Sequence, residues 1–170
     1  MEFKASLDRF SKIITILGIP LAIIISVIVM FFNPKIDYSN PKELTPIIIV
    51  VTIITLTYLI TYLFSIRKYI VDSSSLIIVR PFKDIVIAKS KIKEVNIIDS
   101  KDMKWTIRTF GNGGLFGYYG KFYNKKLGRM TWNATQRNNY VMITLLGNKK
   151  IIITPDDLSI VDSLKTKPLN

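Results

Sequence analysis

The sequence contains no cysteine and no histidine. Disulfides, thiolate nucleophiles, Cys/His zinc sites and every histidine-based dyad or triad are thereby excluded. A serine hydrolase with lysine as base stays formally open. The lack of cysteine fits any redox compartment and does not place the protein. Acidic residues are scarce as well: 12 Asp and Glu stand against 24 Lys and Arg, a formal net charge of +12 in 170 residues. Apolar residues are abundant instead, at 49%, with a mean hydropathy of +0.31.

That apolar excess is concentrated in two runs, 13–32 and 46–66, neither of which contains a charge. Each is long enough to cross a hydrocarbon core of about 30 Å at about 1.5 Å per residue. A chain this short cannot bury two such helices on all sides, so a transmembrane hairpin is expected rather than core helices. A cleaved signal peptide is the other reading of the first run. Phe31-Phe32-Asn33-Pro34 lacks a small-residue cleavage pattern, and a second span follows. Asn33-Pro34 is expected to end the first helix and Thr45-Pro46 to start the second, with Pro20 kinking the first. Gly18, Ala22 and Ser26, and on the second span Thr57, Thr61 and Ser65, recur every four residues. Such stripes let backbones approach closely, and they are expected to form the hairpin contact with Gly18 level with Thr61. Homo-oligomer packing is their rival use.

Lys/Arg bias sets the expected orientation. The loop 33–45 is neutral, whereas Lys4, Arg9 and Lys12 precede the first run and Arg67-Lys68 follow the second. The reading is a multi-pass cell-membrane protein with both termini cytoplasmic and an external loop. Phe3, Leu7 and Phe10 share one face of a short helix that could lie on the inner leaflet, within an N-terminal segment 1–12; a frayed terminus is the alternative.

Residues 67–170 carry 19 of the 24 basic and 8 of the 12 acidic residues, a net +11. Short runs rich in β-branched and aromatic residues punctuate this part: 69–71, 76–79, 85–87, 92–98, 118–123, 129–134, 140–146 and 149–154. Gly147-Asn148 predicts a two-residue hairpin. Thr154-Pro155-Asp156-Asp157 predicts a helix start, with Leu158, Val161 and Leu164 on its apolar face. Several short antiparallel strands followed by one amphipathic helix predict a small β-barrel capped by a C-terminal α-helix.

The run Arg108-Thr109-Phe110-Gly111-Asn112-Gly113-Gly114-Leu115-Phe116-Gly117-Tyr118-Tyr119-Gly120-Lys121-Phe122 resembles the signature of a family of bacterial pleckstrin-homology-like domains. Trp132-Asn133-Ala134-Thr135 with Arg137, and Ile153-Thr154-Pro155-Asp156-Asp157, resemble two further stretches of it. The resemblance covers roughly Lys68 to Lys165, the scale of one module. It implies a split, pleckstrin-homology-like β-barrel with a C-terminal helix, often fused to a membrane hairpin, and no established enzyme activity. Thr154 stands where that family would have Ser before the proline; Thr caps as Ser does.

Two groups of residues are candidate binding sites. Gly111, Gly113, Gly114, Gly117 and Gly120 are five of the eight glycines, interleaved with Phe110, Phe116, Tyr118, Tyr119 and Phe122. Backbone N–H groups in such a segment can cradle anions. No Gly-Lys-Ser/Thr ending follows, and Phe116 breaks the G-x-G-x-x-G spacing. A tightly wound loop with aromatics plugged into the barrel end is the preferred reading. The second group is basic: Lys101, Lys104 and Arg108 before that segment, and Lys121, Lys125, Lys126 and Arg129 after it. These could hold anionic lipid headgroups, or be a solvated surface matched to the membrane. Nucleic-acid binding is ranked below both, because membrane tethering accounts for the same charge.

Trp105 and Trp132 read as packing or anchoring residues. Asp156 and Asp157 diverge as neighbours on a helix, and Asp99 and Asp102 lack partners for a metal. No catalytic constellation and no cofactor site is recognisable. The expectation is a non-enzymatic, membrane-anchored module that binds a protein partner or copies of itself through an open barrel edge or the loop 110–120. Anionic-lipid binding by the basic loops is the alternative.

Overall fold

The computed structural model describes residues 1–31 and 40–165. Residues 2–4 form a strand, β1 (Glu2–Lys4), followed by two long helices, α1 (Arg9–Phe31) and α2 (Pro41–Leu63). Nine strands come next: β2 (Lys68–Val71), β3 (Ser75–Val79), β4 (Ile85–Ala88), β5 (Ile92–Ile98), β6 (Ile107–Gly114), β7 (Gly117–Asn124), β8 (Gly128–Ala134), β9 (Tyr140–Leu145) and β10 (Lys150–Ile153). A short helix, α3 (Ile160–Lys165), follows them.

The strands make two sheets, ordered β1-β2-β3-β4 and β5-β9-β10-β8-β7-β6. Their facing sides share one core. Tyr69, Leu76 and Ile78 come from the first sheet, Val141, Ile143 and Ile153 from the second, and Ile160 and Leu164 from α3. The pleat sends alternate residues of the larger sheet the other way. There Tyr118, Phe122, Met130, Trp132, Tyr140 and Ile152 form a second core under Met103. Sheets packed across one core with a closing helix bear out the barrel-like β domain.

Several details depart from expectation. The N-terminal segment is neither an amphipathic helix nor frayed. β1 pairs antiparallel with β2, Phe3 opposite Tyr69, and Phe3 is buried in the shared core. Ser6 holds the Asp156 carboxylate through its N–H and its hydroxyl, at 3.0 and 2.6 Å. The open edge of β2 and the polar-apolar-polar alternation of Glu2-Phe3-Lys4 favour a strand over a helix.

The strands are not all antiparallel. β10 lies between β9 and β8 and runs parallel to β8. The crossover 135–139 that permits this is stitched to the end of β10. Thr154 Oγ1 accepts from the N–H of Thr135 at 2.9 Å, and Gln136 Nε2 donates to the Thr154 carbonyl at 3.2 Å. With its hydroxyl so engaged, Thr154 does not cap α3. Asp157 does that work further on, accepting from the Ser159 N–H at 2.8 Å, and the helix proper begins at Ile160. The β9–β10 connection is longer than two residues, with Leu145 N–H bonded to the Lys149 carbonyl; Gly147 and Asn148 both take positive φ. The largest departure is β6, a strand of eight residues where a loop was expected.

The helices are long and apolar enough over Arg9–Ser26 and Leu44–Leu63 to cross a membrane. α1 runs through Pro20 without interruption, and the expected stop at Asn33-Pro34 lies outside the described residues. α2 starts a turn before Thr45-Pro46, because Asn40 caps it from the Lys42 N–H and Pro41 fills the first position. It ends at Leu63; Ser65 and Ile66 are already buried in the β domain.

The α1 stripe faces α2. Gly18 leaves the room that the Tyr58 hydroxyl occupies, and Ala22 and Ser26 line a shared depression with Ile47, Val51 and Ile54. The α2 stripe is different. Its contact face runs through Ile47, Ile54, Tyr58 and Thr61; Thr57 is exposed and Ser65 lies past the helix end. The Thr57 and Thr61 hydroxyls donate to carbonyls of their own helix, at 2.8 and 2.7 Å, so they do not bridge the pair.

Candidate functional site

The glycine-rich run is a β-hairpin, β6–β7, whose two-residue turn Leu115-Phe116 joins paired Gly114 and Gly117. Gly111 and Gly120 face each other across it at φ +109° and +126°. A Cβ on Gly120 would meet the Phe110 carbonyl and stand 2.8 Å from the Gly111 Cα. Only glycine admits this approach of two backbones. Asn112 Nδ2 bonds the Leu115 carbonyl and, at 2.8 Å, that of Gly117, which fixes the turn.

The tip of this hairpin is wedged against both long helices. The Ser11 hydroxyl donates to the Gly114 carbonyl, and the Phe116 N–H donates to Thr15 Oγ1 at 2.8 Å. The Phe116 ring stands edge-on to Tyr58 and Tyr62, with centroids 6.3 and 5.6 Å apart. Phe116 holds this place at φ +57°, a conformation costing about 1–2 kcal/mol for a residue with a Cβ. Ring packing on α2 and the N–H bond to Thr15 of α1 offset that strain.

The helix ends are closed by the β domain. The last carbonyls of α2 would otherwise lack donors. The Tyr119 hydroxyl donates to Thr61 O at 2.7 Å, Ser65 N–H to Tyr62 O at 3.1 Å and Phe82 N–H to Leu63 O at 3.1 Å. At the start of α1, Asp8 caps the helix through the Ser11 N–H at 2.7 Å. Its carboxylate also accepts from the Tyr118 hydroxyl at 2.9 Å and from Arg137 Nε at 3.3 Å, while its own N–H donates to Thr135 O at 3.1 Å. The Arg137 guanidinium lies 4.5 Å above the Phe10 ring. Burial, and then the Asp8 carboxylate, push the Tyr118 phenol well above its ordinary range. Burial alone does the same to Tyr119.

The glycine run and the basic residues are therefore not one site. Gly111, Gly113, Gly114, Phe116, Gly117 and Tyr118 build the joint to the helices, with Gly113 leaving space for the Arg108 guanidinium. Lys101, Lys104, Lys125 and Lys126 gather at the other end of the hairpin, seven paired positions or roughly 23 Å from the tip. The buried Asn124 joins the two loops that carry them, donating to the carbonyls of Asp102 and Lys104 at 3.0 Å each. Lys126 is ion-paired with Asp102 at 2.8 Å, and Lys121 donates to the Thr131 hydroxyl at 2.9 Å. Lys101, Lys104, Arg108, Lys125 and Arg129 are exposed, with no carboxylate at ion-pair distance among the described residues.

Between those ends runs the outer edge of β6, which among the described residues pairs only with β7. It displays Ile107 at 59% exposure and Phe110 at 77%, and just before it Trp105 stands at 92%. Trp105 takes φ +61°. Unlike Phe116, it has no burial to set against the strain. Among the described residues, no three His, Cys, Asp or Glu side chains come together as a metal site would need.

The family model described as Bacterial PH domain matches residues 67–167. The chain belongs to this family. The matched stretch begins where α2 has ended and excludes β1, so the bacterial PH domain here takes its first edge strand from outside the family's own span. No curated protein and no solved structure matches the chain.

Sequence reasoning missed Asp8, Thr15, Tyr58 and Tyr62 as partners of the hairpin. Asp8 was signalled: an acid just before an apolar helical run is a cap signature. The helix–hairpin contacts carried no local signal, because residues 15 and 116 meet only once the barrel has closed.

Proposed function

We propose that this protein is a non-enzymatic, membrane-anchored binding module. Its bacterial PH domain captures an extended, acidic segment of a protein partner on the β6 edge. The observation that carries the reading is Trp105: a large aromatic side chain, 92% exposed, held in a strained conformation that nothing buries. Strain without packing compensation points to a role outside the fold. The neighbouring edge is unpaired, so an incoming strand gains main-chain hydrogen bonds there and apolar contact with Ile107 and Phe110. Residues 101–129 carry seven basic side chains and one acid, which favours a partner of negative charge. Edge-to-edge pairing of two copies would set these charges against each other.

Membrane anchoring is supported by the helices. Each has 23 residues, about 34 Å of length, and most of their large apolar side chains point outward. The pairing of β1 with β2 brings the start of α1 and the end of α2 to the same side. With the basic domain on that side, positive-inside bias supports cytoplasmic termini.

The test uses the full chain in zwitterionic micelles and fluorescent ten-residue peptides alternating Val or Tyr with Glu, or with Lys. Anisotropy is expected to show binding of the Glu peptide only, lost in Trp105→Gly and in Lys104→Glu/Arg108→Glu. Equal binding of both peptides, or of neither at millimolar concentration, overturns the proposal.

A further inference from the structure

The β3–β4 turn, Arg80-Pro81-Phe82-Lys83-Asp84, belongs to the other sheet from β6. The structure ties it to the end of α2. Phe82 N–H donates to the Leu63 carbonyl at 3.1 Å, and the Phe82 ring lies 5.9 Å from that of Phe64. Yet Phe82 remains 66% exposed. Two cations rest on aromatic rings at this end of α2. The Arg67 guanidinium lies 4.7 Å over the Tyr62 ring, and the Arg80 guanidinium 5.4 Å over the Phe64 ring. Lys83 is exposed beside them. The turn is rigid: Arg80 N–H donates to the Asp84 carboxylate at 2.9 Å, and Arg80 Nε to the Lys83 carbonyl at 2.7 Å. Among the described residues none of the three cations has a carboxylate at ion-pair distance.

We propose that this turn is a second membrane contact. Phe82 enters the boundary between headgroups and acyl chains, and Arg67, Arg80 and Lys83 hold the phosphates of anionic phospholipids. The inference rests on the reading that α2 crosses the bilayer, because a residue bonded to the last helical carbonyl then stands at headgroup depth. Aromatic rings with cations reaching past them are the side chains that this layer favours. The lipid-facing cations are then Arg67, Arg80 and Lys83 rather than Lys101, Lys104, Lys125 and Lys126, which the hairpin holds at its far end from the helices.

The cysteine-free chain allows single nitroxide labels without other changes. Phe82→Cys, Ile53→Cys in α2 and Ile97→Cys on β5 replace exposed side chains and are reconstituted, full length, in vesicles of phosphatidylglycerol and phosphatidylcholine. Collision with oxygen and with a water-soluble nickel chelate reports depth. The label at 53 is expected to favour oxygen and that at 97 nickel. The label at 82 is expected to show nickel accessibility at least three-fold below that at 97. Adding Arg67→Gln, Arg80→Gln and Lys83→Gln raises nickel access at 82, as does removing phosphatidylglycerol. Nickel access at 82 equal to that at 97, with 53 still in lipid, overturns the second contact alone. Water exposure at 53 overturns the membrane reading and this inference with it. Shielding at 82 that is indifferent to both charge and lipid overturns the phosphate assignment.

Discussion

Replacing Asp8 tests whether the β domain and the long helices form one unit. Asp8→Ala removes the α1 cap, about 1 kcal/mol. It also strips the Tyr118 hydroxyl of a charged acceptor at 2.9 Å, worth about 1.5–3 kcal/mol. The Arg137 pair adds little, since the arginine is half exposed and screened. The expected loss is about 2.5–4 kcal/mol, on the order of 10–25 °C in Tm for a domain of this size. Asp8→Asn keeps the cap and a neutral acceptor, and is expected to lose less than half as much. The assay is thermal unfolding of the full chain in detergent, followed by the emission of Trp132, which packs 6.4 Å from Tyr118 and 5.6 Å from Tyr140. An Asp8→Ala midpoint within 2 °C of the parent would refute the reasoning: the carboxylate would then not hold the joint.

Glycine substitutions separate backbone strain from crowding. Gly147→Ala meets open space at φ +85° and should cost about 1–2 kcal/mol, whereas Gly120→Ala meets the backbone of Phe110 and Gly111 and should cost at least twice that by chemical denaturation. Stability should fall at alkaline pH. The phenols of Tyr69, Tyr118 and Tyr119 are raised by burial, and burial pushes Tyr140 up to about 12. A raised phenol gives its full stabilisation below the unfolded value of about 10 and loses it as pH climbs through the folded value. The midpoint should therefore hold to about pH 10 and drop between 10 and 12, in step with tyrosinate absorbance; a flat profile across that window would refute it. Lys126→Ala should leave the thermal midpoint unchanged, because its ion pair with Asp102 is exposed. Trp105→Gly should raise stability slightly by removing the left-handed strain, measured by the same melts.

What the sequence made legible was local. Short runs of β-branched and aromatic residues announced β2, β3, β4 and β9 within a residue or two, and the long apolar runs announced both long helices. β6 was illegible because glycine stands at 111, 113 and 114, where a strand normally shows a side chain; pairing with β7 supplies what propensity does not. β1 was misread for a different reason. One alternation over three residues is too short to stand against the helical face shared by Phe3, Leu7 and Phe10, and only the edge of β2, 66 residues away, gives it a partner. The candidate surface divided in the same way. The basic residues were visible as a group, but their separation from the glycine run by a hairpin's length is a property of register.

The joint bears on how a partner is met. A module on a loose linker gains local concentration and little else. Here the backbone from Leu63 to Arg67 leaves no such linker: Leu63 O, Tyr62 O and Thr61 O all have donors C-terminal to the helix, and Arg67 N–H bonds to the Val79 carbonyl at 2.9 Å. α1 enters the domain just as abruptly, with β1 in the sheet, Asp8 at the cap and Ser11 on the hairpin tip. Two helices fastened at two separated points resist rotation about either one. The β6 edge is therefore carried at a fixed angle and height relative to the helices. On the proposed membrane reading, it can accept only segments presented at that height. Selection by position is then added to selection by charge, and loosening the joint at Asp8 should weaken capture of a membrane-tethered partner while leaving affinity for a free peptide unchanged.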